Sequence, residues 1–377
     1  MVKKQKKDAY TRLIHATVIL LVLAIVFATG YLLLNRYQQS ELKRLQDEAA
    51  LKNEELTAQH NQAVAEFDAA QQMGENLAWP SPAASGWDVV DVSQFPLTTV
   101  REITASRQTL LEGGMMLVNR WHELPGDFPE SDVVSISSVD RSIPVKDSSV
   151  KLFPVAIEAL SEMLKAAKDE AGLEGYVIQE GYRTMATQTA YFDDAKKNYE
   201  NKYSGDALIE QVSKTVSYPG TSEYQSGFAF NVDRWRSGDK EFNAAKFSTT
   251  EHSDWLVANS WRYGYVFRFP VAGYPNSTVS EKSFKTGQSS HLMIYRYVGK
   301  ANAVVMHTLD MCMEEYLEYL AQHPHLAVYE DGVLKYEILR VSGGDTAADV
   351  QLQVTQTAQS YTVSTDNMGG IVITMSY

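Results

Sequence analysis

Ser222-Glu223-Tyr224-Gln225-Ser226-Gly227-Phe228-Ala229-Phe230-Asn231-Val232-Asp233 is the stretch on which the reading of this 377-residue chain turns. Residues 228–233 read as a strand. On it Ala229, Asn231 and Asp233 share one face, because side chains alternate. Further strand-like segments lie at 115–119, 263–268 and 292–298, and helical runs at 154–171, 183–200 and 307–322 flank them. Helices grouped around such strands predict an α+β domain with a mostly antiparallel sheet. After Gln322 the pattern changes. Leu326–Glu330, the turn Asp331-Gly332 and Val333–Val341 predict a hairpin. Strand-like runs at 350–356, 361–365 and 371–376 complete a small β module over 323–377.

Several segments around the opening stretch, in order, resemble one family. Met116-Leu117-Val118-Asn119-Arg120 with Leu124-Pro125, Gly181-Tyr182-Arg183-Thr184 with Gln188, and Ser217-Tyr218-Pro219-Gly220-Thr221-Ser222 come first. Trp255-Leu256 with Asn259, Tyr263-Gly264-Tyr265, and Arg296-Tyr297-Val298-Gly299 follow. Together they resemble the D-alanyl-D-alanine carboxypeptidases of the VanY type, which are LAS-like zinc peptidases. The resemblance covers about 111–322 and implies a central antiparallel sheet whose cleft holds a metal.

It also implies where that metal would sit, and those positions are altered. The family reads Ser-x-His-x-x-Gly-x-Ala-x-Asp where this chain has Ser222, Gly227 and Ala229 but Tyr224 for the His and Asn231 for the Asp. In the family's Glu-x-Trp-His-x-Arg-Tyr-Val-Gly segment, the third ligand position is Ile294, the Trp position Met293 and the catalytic Glu position His291. Catalytic zinc takes three protein ligands and leaves one position for water. A phenol, a neutral amide and a hydrocarbon do not supply them, so the expectation is a pseudoenzyme with no catalytic residue and no cofactor. The alternative is an active, divergent zinc D,D- or L,D-carboxypeptidase rescued by Asp233 and His291. A third reading is a structural or interaction protein with a filled cleft. The family's peptide-gripping positions survive as Arg183, Gln188 and Ser222. A guanidinium suits a terminal carboxylate because it can form two parallel bonds to it. Arg183 paired with an internal acid, and Gln188 capping a helix, is the competing reading.

Other candidates are weaker. His307, His323 and His325 form no metal-ligand spacing, and no Gly-rich phosphate loop follows a strand. Cys312 falls in an apolar run with Leu309, Met313, Tyr316, Leu317 and Leu320. That predicts a small core residue of an amphipathic helix, not a nucleophile.

The remaining chain predicts location and partners. Residues 13–34 contain no Asp, Glu, Lys or Arg, and Lys3, Lys4, Lys6, Lys7 and Arg12 precede them. This reads as a single-pass signal anchor, with a cytoplasmic tail at 1–12 and everything after the membrane extracytoplasmic. Residues 35–75 read as a helical stalk, through which a homodimer is one option, and 76–110 as a linker and lead-in segment. The formal charge is −13, and five basic residues against one acidic in the first 34 leave −17 for the rest. Such acidity argues against nucleic acid. A peptidoglycan stem peptide or a cell-envelope protein is the expected partner.

Overall fold

The computed structural model describes residues 79–377, save 96, 98, 345 and 346, and a few positions between Thr29 and Ala58 that are helical. The predicted tail, and most of the predicted anchor and stalk, lie outside the described residues. Among the described residues no helix is long and apolar enough to cross a membrane.

The strands are β1 (Trp87–Asp91), β2 (Val100–Ala105), β3 (Val134–Ser135), β4 (Lys151–Leu152), β5 (Tyr176–Glu180), β6 (Ala229–Arg234) and β7 (Tyr265–Phe267). They continue with β8 (Ile294–Tyr297), β9 (His325–Glu330), β10 (Val333–Ser342), β11 (Val350–Thr355), β12 (Ser360–Thr365) and β13 (Gly370–Ser376). A four-stranded sheet runs β5-β6-β8-β7, with every neighbouring pair antiparallel. Its core partner is helix α1 (Pro154–Ala171). Proline at its first position and Gly172 in the left-handed region just past its end fix this helix as expected of each. Ala156, Ile157, Leu160, Met163 and Ala167 recur every three or four residues and are wholly buried against Tyr176, Ile178, Phe228, Phe230, Tyr265 and Tyr295. The expected α+β arrangement is therefore present, and its helix and strands fall close to the predicted runs.

Three expectations need correction. Residues 115–119 form no ladder strand; only Asn119 bridges, to His122. Their backbone groups are taken individually instead: Ser364 Oγ accepts from Met115 N–H at 2.9 Å, and Asp366 O accepts from Leu117 N–H at 3.1 Å. The run 307–322 is not one helix. It splits into α4 (Lys300–Thr308) and α5 (Met313–Gln322), parted where Asp310 takes a φ of 49°. The apolar period crosses the break because Met306, Met313, Tyr316 and Leu317 enter the same core. Between them in chain order with α1 lie α2 (Met185–Lys196) and α3 (Glu251–Asn259).

Cys312 is consequently the residue capping α5, where Glu315 accepts from its N–H at 3.0 Å. Burial pushes its thiol up to about 12. Native protein at pH 8 should therefore resist a thiol reagent and react only after denaturant is added. Fast stoichiometric labelling of the folded chain would contradict this.

The third correction concerns the lead-in segment. β1 adds to the edge of a five-stranded sheet, β1-β9-β10-β13-β12, and β2 pairs with β11. Part of 76–110 is thus built into the β module and is not a linker. The β9–β10 hairpin turns at Asp331 and Gly332, both with positive φ. That is the twist two-residue hairpins favour.

Candidate functional site

The loop that opened the sequence reading is held by shape and by charge. Gly227 has a φ of 75°, and a Cβ there would stand 2.8 Å from the Phe153 ring, so both backbone and space demand glycine. The turn Glu223–Ser226 is buried. Glu223 bridges two arginines that are themselves fully buried. Arg268 Nε donates to its Oε2 at 2.6 Å, and Arg296 Nη1 donates to Oε1. Arg268 also forms a two-bonded pair with Glu314, at 2.7 and 2.9 Å, and Asn119 donates to the same carboxylate at 3.0 Å. Arg296 finishes by donating to Gly114 O and Met116 O. Burial alone would raise Glu314, but Arg268 and Asn119 hold it below the usual carboxylate range. Two positive and two negative charges thus neutralise one another beneath the cleft, tying β8, α5, the turn and the 114–116 segment together.

Above this layer the three altered positions come together. Glu180, Asn231 and Ile294 stand in register on β5, β6 and β8. Directly paired residues point to one face of a sheet, so these side chains are neighbours. Tyr224 packs with Ala229, Ile294, Phe269 and Leu292 in an apolar cluster. Asn231 pairs directly with Ile294 beside this cluster. Burial and then the Glu180 carboxylate push the Tyr224 phenol well above its ordinary range, against the pull of Arg183. It is a protonated phenol, not a phenolate ligand.

These residues do not fit a zinc ion. Nor do the rescuing side chains converge on the place. His291 is exposed and stacks on Tyr274 at 4.3 Å. Asp233 is exposed, and its carboxylate accepts from the Arg234 N–H at 2.7 Å. Among the described residues no group of three His, Cys, Asp or Glu side chains is placed to hold a metal.

The gripping positions divide. Arg183 lines the cleft but is already engaged: Nε and Nη2 each donate to Glu180 at 2.6 Å, and Nη1 to Gln188 Oε1 at 3.0 Å. Its guanidinium lies 4.0 Å from the centre of the Tyr224 ring and 4.7 Å from that of Tyr191. Of its five N–H donors, two remain for a ligand. Gln188 is fully buried and donates to Ser217 O at 2.7 Å. It braces Arg183 and does not line the cleft. Ser222 is on the wall, with no capping bond of its own. An open cleft of about 420 Å³ survives between these groups, walled by Glu180, Asp194, Ser217, Tyr224, Gln288 and Leu292 among others.

Sequence reading missed Glu180, Tyr191 and the four buried charges. Glu180 carried a usable signal, an acid at the end of an apolar strand three residues before Arg183. So did Arg268, a lone cation in Tyr265-Val266-Phe267-Arg268-Phe269.

Comparison with known proteins now has geometry to stand on. The family model described as VanY, D-alanyl-D-alanine carboxypeptidase, matches residues 149–284, which include the Gly-Tyr-Arg segment and the 222–233 loop. YodJ of Bacillus subtilis (strain 168) is 33% identical over 207 residues, covering 55% of this chain and 68% of YodJ. The chain belongs to the VanY family of D-alanyl-D-alanine carboxypeptidases. A D-alanyl-D-alanine carboxypeptidase of Enterococcus faecium is 23% identical over 279 residues, spanning 73% of this chain and 79% of its own. Among solved structures, the vancomycin-resistance D,D-dipeptidase VanXYg, in complex with a D-Ala-D-Ala phosphinate analogue, shares the fold. Its TM-score is 0.55 at 20% identity, over 74% of this chain and all of that one.

Proposed function

We propose that this VanY-family member is a pseudoenzyme that binds a cell-wall stem peptide, or a protein segment resembling one, without cleaving it. The observation that carries this reading is the apolar packing of Tyr224 and Ile294, beside the amide of Asn231, where a hydrolase needs three metal donors. The cleft is narrowed by that packing but not closed, which favours binding over a purely structural role. Arg183 supplies the recognition: held rigid by Glu180 and Gln188, it offers its two free N–H groups to a carboxylate. Ser222 adds a hydroxyl on the wall. The apolar run at 13–34 with its basic flank supports a membrane anchor that leaves this domain extracytoplasmic, on the helical stalk.

The test uses the purified full chain and a pentapeptide ending in D-Ala-D-Ala. Expected are calorimetric binding, no released D-alanine, and an affinity about tenfold or more weaker in Arg183→Ala, the value of a charge-assisted hydrogen bond. One equivalent of zinc with chelator-sensitive D-alanine release would instead establish the active-enzyme alternative. Binding indifferent to Arg183→Ala would remove the assigned role of that residue.

A further inference from the structure

A second cavity, of about 790 Å³, lies between the two sheets and is larger than the cleft. Its floor is the outer half of the five-stranded sheet. There Ser360, Ser376 and Tyr336 are paired across β12, β13 and β10, and Thr362 pairs with Thr374 in the next row. Paired residues share a face, so the floor is a lattice of four hydroxyls and a phenol. Thr374 accepts a long bond from Asn302 at 3.4 Å. Ser360, Thr362 and Ser376 spend no side-chain hydrogen bond on the protein, among the described residues. The facing wall is the start of α1, from Phe153 to Glu158, and the Tyr297–Lys300 segment.

The charges around this cavity are mixed. Glu112 and Glu158 oppose Lys300 and Lys335, and the lysines are turned to acids outside it, Lys300 to Glu162 at 2.8 Å and Lys335 to Glu330 at 3.6 Å. Counted with those partners the surroundings are acidic, four carboxylates against two lysines, which disfavours an anion. Tyr336 stacks on Trp87 at 6.2 Å, which stiffens the ring. An uncommitted hydroxyl lattice, tyrosine rings and two carboxylates able to accept from hydroxyls match one ligand chemistry, a chain of uncharged sugars. Sugars present C–H faces to rings and hydroxyls to hydroxyls.

We infer that this inter-sheet cavity is a binding site for a neutral saccharide chain, separate from the peptide cleft. The probes are a tetramer of N-acetylglucosamine and a tetramer of glucose, titrated against the full chain by saturation-transfer NMR. Saturable transfer to either supports the site. Transfer to the acetylated sugar alone identifies an amino-sugar polymer as the source, and transfer to both identifies glycans generally. Thr362→Arg fills the cavity from an exposed strand position and should abolish saturable binding. Ser360→Ala with Ser376→Ala, which adds no bulk, should weaken it about fivefold, in line with the loss of two modest hydrogen bonds. Binding unchanged in both variants, or transfer to neither sugar, overturns the proposal. Pentapeptide binding measured in the same variants should be unaltered, so this site and the cleft can fail independently.

Discussion

Glu223→Gln is expected to destabilise the folded chain by about 3–5 kcal/mol, the cost of breaking a buried ion pair from one side. Arg296 would lose its one carboxylate partner and keep only the carbonyls of Gly114, Met116 and Tyr297. Arg268 would retain Glu314. The asymmetry gives the experiment its resolving power. Adding Arg296→Met to Glu223→Gln removes the stranded charge and should recover part of the loss, whereas adding Arg268→Met should strand Glu314 and deepen it. Urea unfolding of the four chains reads this as shifts of the midpoint at constant slope. A Glu223→Gln midpoint within error of wild type would show that the network contributes nothing to the stability of the cleft floor.

Tyr224→His, Asn231→Asp and Ile294→His made together should turn a chain without metal donors into one that takes up about one equivalent of zinc. Positions 231 and 294 are directly paired across two strands, and position 224 packs with 294 in one apolar cluster. Losing the Tyr224 ring beside Arg183 removes a buried cation–ring contact worth about 2 kcal/mol, so a cooperative unfolding transition of the variant is the first requirement of the test. Zinc at a thousandfold excess over its dissociation constant would then stabilise the variant by about 4 kcal/mol. Elemental analysis and a zinc-dependent, chelator-reversible rise in the unfolding midpoint are the readouts. A folded variant indifferent to zinc would mean that the strand geometry itself, and not just its side chains, has departed from that of a metal site. Wild type that takes up zinc equally well would refute the pseudoenzyme reading outright.

The cleft sheet was legible because its strands and helix α1 carry local signals: alternation in 229–234, a three-to-four-residue apolar period in 154–171, and proline and glycine at that helix's two ends. That positions 231 and 294 would lie side by side was legible because a motif fixes spacing whatever residues fill it. What stayed hidden was non-local. Trp87-Asp88-Val89-Val90-Asp91 is too short to declare itself a strand, and its partner β9 lies more than two hundred residues away. The break at Asp310 was masked because residues on both sides feed one core. Charged residues are ordinarily read as surface, so Glu223, Arg268, Arg296 and Glu314 could be placed inside only once their mutual pairing was visible. Arg183 was singled out by its Gly-Tyr-Arg setting, but its pairing with Glu180, which follows a bulge between Ile178 and Glu180, is announced by no pattern.

The pairing of β1 with β9 has a mechanical side. Trp79 rests edge-on against His325, and β1 follows within a few residues, so the polypeptide is clamped to the C-terminal sheet before it reaches anything near Arg183. Tension arriving from the amino-terminal direction would be borne by that five-residue ladder, leaving the cleft around Arg183 shielded from the load.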